Sequence, residues 1–521
     1  MPAVCRSFGF VRPIAVLLAC LCLAVSAAAA VALGPLFADG AVLQRDKPLA
    51  VWGTASPGEA VTVTFAGQSR IAIAAPDRRW LTMLDPVAVN AVGADLVAKG
   101  KANTVTVHDV LVGEVWLCSG QSNMEFPVKD AIDGEREVAA ASFPLLRHIR
   151  IDHRSSEKPE ATAKTSGWKP ATAANVGDFT AVGYFFGRDL VQRLDVPIGL
   201  IDSSFGGTPI ESWMSASTLD REPAFRVARE RWAEKVAAFP AAMAEYGSKR
   251  AAWELAETAA KLRDDKTYPA WLKHNPRPRP PQGAPGDSWY PTGLYNGMIN
   301  PLVPYALRGI LWYQGESNAS HPGEYHDLFA ALITGWRAHF AQGDIPFFWV
   351  NLASFRPNDP SDQAWARLRE AQTQTLTLPN TGQAVAIDLG DPNDIHPRNK
   401  QEVGRRLALL ARHRVYGLSA DDTGPTFGSV AREGGRLRVH FTHAASGLVA
   451  HNKAPAGLEV AGADRVFQRA FGKIERDTLV VWAPSVKEPV AVRYAFRNAP
   501  DANLYSGFGL PVVPFRSDDW P

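Results

Sequence analysis

The sequence predicts an α/β fold: a mostly parallel sheet with helices on both faces, a β-rich region before it, another after it, and a helical insertion within it. Three observations lead there. Between residues 111 and 413, short apolar runs of strand length alternate with amphipathic stretches of helical period, the pattern of strand–helix units on a parallel sheet. Before and after that span the helical period disappears, and short alternating runs are broken by Gly and Pro. Finally, 521 residues exceed what one hydrophobic core holds, which favours about three domains.

In order along the chain, residues 1–30 read as a secretory signal. Arg6 and Arg12 supply the positive end, 14–25 the apolar stretch and 27–30 the small residues at which a leader is cut. That apolar stretch is too short for a membrane span. Cleavage near Ala30 is expected ahead of a lipid anchor at Cys20, placing the protein in the periplasm or outside the cell. Cys5, Cys20 and Cys22 leave with the leader, so the mature chain keeps Cys118 alone and has no internal disulfide.

From 31 to 110, runs at 49–52, 60–65, 70–74, 94–98 and 103–107 read as strands of a small β-sandwich. Alternation of Val61, Val63 and Phe65 with Thr62 and Thr64 gives one buried face. From 111 to 413, strands are predicted at 115–118, 146–151, 198–201, 307–312, 347–352 and 384–387. Helices are predicted at 181–194, where Val182, Phe185, Phe186, Leu190 and Leu194 recur at helical spacing, and at 325–340. The insertion occupies about 218–290. Its Ala-, Glu-, Lys- and Arg-rich part, 224–272, predicts a helical pair with Trp232, Val236, Phe239 and Met243 on one face. The Pro–Arg repeats of 275–285 cannot continue a helix and read as an extended, solvated segment. Runs at 436–441, 458–460, 478–482 and 491–495 predict a closing β-domain over 414–521.

Composition narrows the partners. A formal net charge of +2 gives no attraction to nucleic acid or an anionic membrane. Fifteen Trp are compatible with stacking on sugar rings, although aromatics chiefly fill cores.

Four polar clusters, each at the end of a predicted strand, carry the chemistry, and topology brings such ends to one crevice. GEVWLCSGQSNM (113–124) presents Ser122 where an apolar run breaks into small residues. A serine hydroxyl needs a base to take its proton. DLGDPNDIHPRNK (388–400) supplies His396, beside Asp388, Asp391 and Asp394. Zinc is a poor reading of this cluster: the other ligands are carboxylates, and Pro392 and Pro397 allow no helical His-x-x-x-His spacing. No metal or cofactor is expected. IDSSFGGTPIESW (201–213) offers Gly206 and Gly207, whose backbone N–H groups can approach an oxyanion. WYQGESN (312–318) offers the amides of Gln314 and Asn318 to the same charge.

The motifs GQSNMEF (120–126), GGTPIESW (206–213), WYQGESN (312–318) and DIHPRNK (394–400) resemble the sialate O-acetylesterase family of the SGNH hydrolases. So do LYNGMINP (294–301), WARLREAQ (365–372) and the NLY, GLP and PFR of 503–516, in the same order. The resemblance implies a flavodoxin-like catalytic domain that hydrolyses acetyl esters on sugars without a cofactor. By it, Ser122 matches the nucleophile and His396 the general base, with the Ser122 N–H and Gly206 or Gly207 as oxyanion donors. The superfamily's third block carries an Asn after Gly-x; here Gly315 is followed by Glu316 and Ser317, so Gln314 is assigned the amide role. The acid usually lies three residues before the histidine, where this chain has Asn393; Asp394, within the matching stretch, is preferred to Asp391. Trp213, Trp312, Tyr313, Glu316 and Asn318 adjoin the motifs as expected substrate contacts. The implied substrate is an O-acetylated carbohydrate: a sialoside, or alternatively a plant polysaccharide such as xylan. An inactive carbohydrate-binding protein is the rival from another class, and retention of both Ser122 and His396 argues against it.

Overall fold

In the computed structural model, which describes residues 30–221, 225–263, 267–418, 421–451 and 454–520, a strand of 17 residues, β1 (Thr104–Gly120), runs through the centre of the protein. The expected leader lies outside the described residues. Every β1 residue from Val110 to Gly120 is buried, as expected of a Val-rich strand covered on both faces.

The other strands of the central sheet are β2 (Ser142–Arg150), β3 (Lys169–Thr172), β4 (Ile198–Ser204), β5 (Gly309–Tyr313), β6 (Phe347–Asn351) and β7 (Thr381–Val385). Their order is β3-β2-β4-β1-β5-β6-β7, parallel throughout except for the antiparallel pair of β2 and β3. The chain builds outward from β1 in both directions, so the crevice at its carboxyl end is a topological switch point.

Helices α1 (Ala181–Leu194), α2 (Arg226–Arg263), α3 (Tyr268–His274), α4 (Pro322–Phe340), α5 (Ala364–Gln374) and α6 (Lys400–Arg414) follow in chain order. Strand alternation shows how the sheet is covered. Phe348 stacks near Trp116, which also meets Phe186 of α1, whereas its neighbour Phe347 meets Phe329 and Trp336 of α4. The two faces therefore carry different helices. On the first, α1 and α6 approach closely: a Cβ at Gly404 would lie 2.6 Å from the Phe185 Cβ.

Two sequence expectations change. The runs at 103–107 and 115–118 are one strand, and β1 crosses residue 110, where a β-sandwich was expected to end. Its first half pairs with Asn90–Lys99, and its second half with β4 and β5. The helical insertion forms as α2 and α3, but the expected apolar face of α2 is not a core face. Val236 and Met243 are exposed, and the half-buried Trp232 sets its ring edge-on to Tyr290 of the following segment. Beyond 413, two four-stranded sheets enclose a second core around Val439, Val460, Val481 and Tyr494, which reaches the central sheet through Val385 and Ile387. No helix of the described residues is long and apolar enough to cross a membrane.

Midway along β1, Glu114 is fully buried and accepts from Arg45, Gln44 and Arg308. Arg45 and Gln44 belong to the N-terminal β-region, and Arg308 directly precedes β5. One carboxylate thus ties the two regions together, and its cost of burial is met by charged donors on both sides. Removing it would leave two half-buried guanidinium groups with only Asp46, 3.6 Å from Arg45, as a counter-charge. Glu114→Ala is expected to cost about 3–5 kcal/mol, measured as a lower urea midpoint.

Candidate active site

The site starts from a steric requirement. Gly120, the last residue of β1, has φ +130°, and a Cβ there would come within 2.1 Å of the Tyr313 carbonyl oxygen. Only glycine lets β1 turn this close to the end of β5. Gln121 then donates its N–H to that Tyr313 carbonyl at 2.9 Å, while its side-chain Oε1 accepts from the Gly315 and Ser317 N–H groups at 3.3 Å each. Ser122 opens the helical turn Ser122–Glu125. Ser119 points the other way, its hydroxyl buried and donating to the Ser203 carbonyl at 2.6 Å.

The loop after β7 brings His396 to the same point, with Nε2 2.8 Å from Ser122 Oγ. With Nε2 unprotonated, the serine hydroxyl donates to it, the geometry a general base requires. Both residues line a cleft of about 350 Å³ with Glu125, Phe126, Pro127, Lys129, Arg150 and Asp178. Burial lowers the His396 pKa, the Lys400 charge lowers it further, and Asp394 opposes both. Asp394 Oδ1 lies 3.8 Å from Nδ1, an ion-pair distance beyond hydrogen-bond length, and also accepts the His396 backbone N–H at 2.9 Å. Asp391 accepts the Asn393 N–H instead, and Asp388 is gripped by Arg406 through two bonds of 2.7 Å. Of the three aspartates, Asp394 is the one paired with the imidazole.

Gly206 adjoins Ser122: a Cβ there would sit 3.2 Å from the Ser122 Cβ. Its N–H donates to Glu125 Oε2 at 2.8 Å, so in the free protein a carboxylate holds the donor expected to meet an oxyanion. Glu125 is fixed in turn by His153, at 2.9 Å, whose ring stacks on Phe205 with centroids 3.8 Å apart. This contact with Glu125 raises the His153 pKa. Gly207 has φ +71°, and its carbonyl accepts the Trp289 indole N–H at 2.7 Å.

Residues 283–412 match a family described as carbohydrate esterase, sialic acid-specific acetylesterase. The sialate O-acetylesterase of Rattus norvegicus is 34% identical over 412 residues, 72% of this chain and 72% of that protein. The Homo sapiens protein of the same name is 34% identical over 412 residues, 72% of this chain and 69% of its own. The chain belongs to the sialate O-acetylesterase family. A crystal structure of a carbohydrate acetylesterase from Xanthomonas citri also superposes on it with a TM-score of 0.78, at 39% identity, covering 94% of this chain and 100% of that one.

Several residues singled out from the sequence of this family member do not reach the cleft. Gln314 is fully buried, donating to the Thr208 carbonyl and Asn318 Oδ1 and accepting from the Tyr325 hydroxyl. Its amide has no donor left for an oxyanion. Asn318 is spent likewise, accepting from the Ile210 N–H and donating to Glu211. Trp213, Trp312 and Tyr313 are 0% exposed and pack in the core, where no sugar can stack on them. Glu316 accepts from the amide of Asn123, the residue after Ser122, at 2.6 Å.

Two residues beside the dyad were missed by sequence reasoning: Asn123 and Glu125. Both stand inside the quoted motifs, so the available signal was their position there. Among the described residues, no group of three or more His, Cys, Asp or Glu gathers as a metal site would.

Asp394 raises the His396 pKa, so Asp394→Asn should move the acid limb of kcat/KM to lower pH. Because its contact is an ion pair and not a hydrogen bond, kcat should fall by well under the ~10⁴ known for a bonded protease aspartate. Asp391→Asn should leave both quantities unchanged. A pH profile of acetate release from all three folded proteins checks this.

Proposed function

We propose that the protein is an exported serine esterase that removes O-acetyl groups from carbohydrates, built on an SGNH-type, flavodoxin-like catalytic domain. The observation that carries this reading is the 2.8 Å contact between Ser122 Oγ and His396 Nε2 at the carboxyl end of the central strand. Family membership supports the ester chemistry, and the leader-like first 30 residues support export.

His396 takes the Ser122 proton as Oγ attacks the acetyl carbonyl, and the Ser122 N–H and Gly206 N–H meet the oxyanion. Glu125 must release Gly206 for this. The imidazolium then protonates the sugar oxygen as its bond to the acetyl carbon breaks, leaving an acetyl-serine and a free sugar hydroxyl, and His396 activates a water that frees acetate. Asp394 favours the imidazolium through its charge.

A second reading, an acetylated plant polysaccharide such as xylan, has one observation in its favour. The cations that line the cleft already have partners: Lys129 pairs with Asp178 at 2.7 Å, and Arg150 with Asp202 at 3.3 Å. A sialate carboxylate would compete with these contacts, whereas a neutral sugar would not.

Acetate release from matched panels of O-acetylated sialosides and acetylated xylo-oligosaccharides decides between the substrates. Ser122→Ala should abolish release with the fold retained, while Ser119→Ala should keep most of the activity. Prolonged chelation should leave the rate unchanged; a loss restored by zinc would contradict the mechanism.

A further inference from the structure

Directly behind the dyad, three motif loops meet in one buried hydrogen-bonded cluster. Asn123, from the turn after β1, donates its Nδ2 to Glu316 Oε1 at 2.6 Å and to the Ile395 carbonyl at 3.0 Å. Its Oδ1 accepts from Lys400 Nζ at 2.5 Å. Glu316 lies in the helical turn after β5, and Lys400 is the first residue of α6. Lys400 is 0% exposed, and Glu316 Oε2 is out of contact with solvent and without a hydrogen-bond partner.

Burying a cation and an anion here needs a reason, because a well-packed apolar group of similar size is usually no less stable. The rings of Phe126 and Tyr313, 4.8 and 5.3 Å from Lys400 Nζ, offset part of the cost. What the charges add is direction. A side-chain amide has an accepting and a donating end, and turning it over would set its NH₂ against the ammonium and its oxygen against the carboxylate. Asn123 directly follows Ser122, and Ile395 directly precedes His396. The amide therefore ties the nucleophile's loop to the base's loop.

We propose that Lys400 and Glu316 are positioning residues that lock the Asn123 amide and, through its bond to the Ile395 carbonyl, hold Ser122 and His396 at reacting distance. This rests on the reading of Ser122 and His396 as nucleophile and base. Lys400 has a second effect: after burial, its charge lowers the imidazole's pKa further. Burial pushes its own pKa down to about 7, so it still carries that charge across the acid limb of activity. The other charged groups facing His396 are Asp394 on its own loop and, across the cleft, Glu125, Lys129, Arg150 and Asp178.

The test uses the full-length protein and a small acetyl ester. Lys400→Met should lower kcat about ten- to a hundredfold, as small misplacements of reacting groups do, with little change in KM. It should also move the acid limb of kcat/KM to higher pH, because the imidazole loses a repelling charge. A folded variant with wild-type kcat, or one with lower kcat and an unmoved limb, overturns the proposal. Should Lys400→Met fail to fold, Glu316→Gln keeps the side-chain volume and makes the same test on the kcat-against-KM split: a fall in kcat at constant KM is expected, and wild-type kcat overturns it. Ser122→Ala, measured alongside, separates the two claims. If it keeps activity, the mechanism itself falls; if it is inactive while Lys400→Met and Glu316→Gln behave as wild type, only the clamp falls.

Discussion

Strand β1 is hydrogen-bonded on both edges in its second half, to β4 and β5, and it ends at Gly120 against the Tyr313 carbonyl. The position of Ser122 follows from that constraint. A strand paired on two sides cannot slide without breaking both ladders, and a one-residue slip would turn every side chain to the opposite face. The site is thus built on a strand paired along both edges, with the loops after β4, β5 and β7 gathered at its end. Gln121 shows the coupling at atomic scale, since its backbone bonds β5 and its side chain caps the Gly315 turn.

The electrostatics around the dyad follow a second pattern. Charges are met by charges or amides at every depth: Lys129 by Asp178 at the rim, Glu125 by His153 beside the nucleophile, and Lys400 by Asn123 beneath it. The result is a cleft with little net field and an imidazole whose free pair stays available. Burial and Lys400 pull its pKa down, and the single opposing carboxylate stands at ion-pair distance. On the proposed mechanism the serine faces a neutral base and not a strongly polarised one, an arrangement suited to esters, which need less activation of the leaving group than amides do.

Much of this was legible in the sequence because it is local. Val-rich runs, the helical spacing of Val182 to Leu194 and the break after Cys118 report strand, helix and loop directly, and Ser122 and His396 lie in post-strand loops as read. What failed was direction and depth. Trp213, Trp312 and Tyr313 adjoin the motifs in the chain, but Trp312 and Tyr313 lie on β5, which is covered on both faces, and Trp213 ends a helical turn packed against Trp312. Gln314 and Asn318 sit in the right loop with their amides aimed backward, at Thr208 and Glu211. The sequence puts Lys400 near the crevice, and only the fold reveals that it is enclosed. The break assumed at 110 failed for a simpler reason: His108 and Asp109 interrupt the apolar pattern without interrupting the strand.

That continuity bears on how such an enzyme can evolve. Domains are exchanged between genes most readily when the join falls in a linker that few contacts cross. Here the N-terminal join runs through a hydrogen-bonded strand and beside a carboxylate shared by both regions, and the two share one core. The C-terminal sheets instead have a core of their own, touching the central sheet through Val385 and Ile387. Lineages of this fold should therefore inherit the head with the Ser122 loop as a single unit of descent, whereas the tail, despite its own core, stays tied to the catalytic region by Arg369 at the Asn498 carbonyl and Arg516 at Glu370.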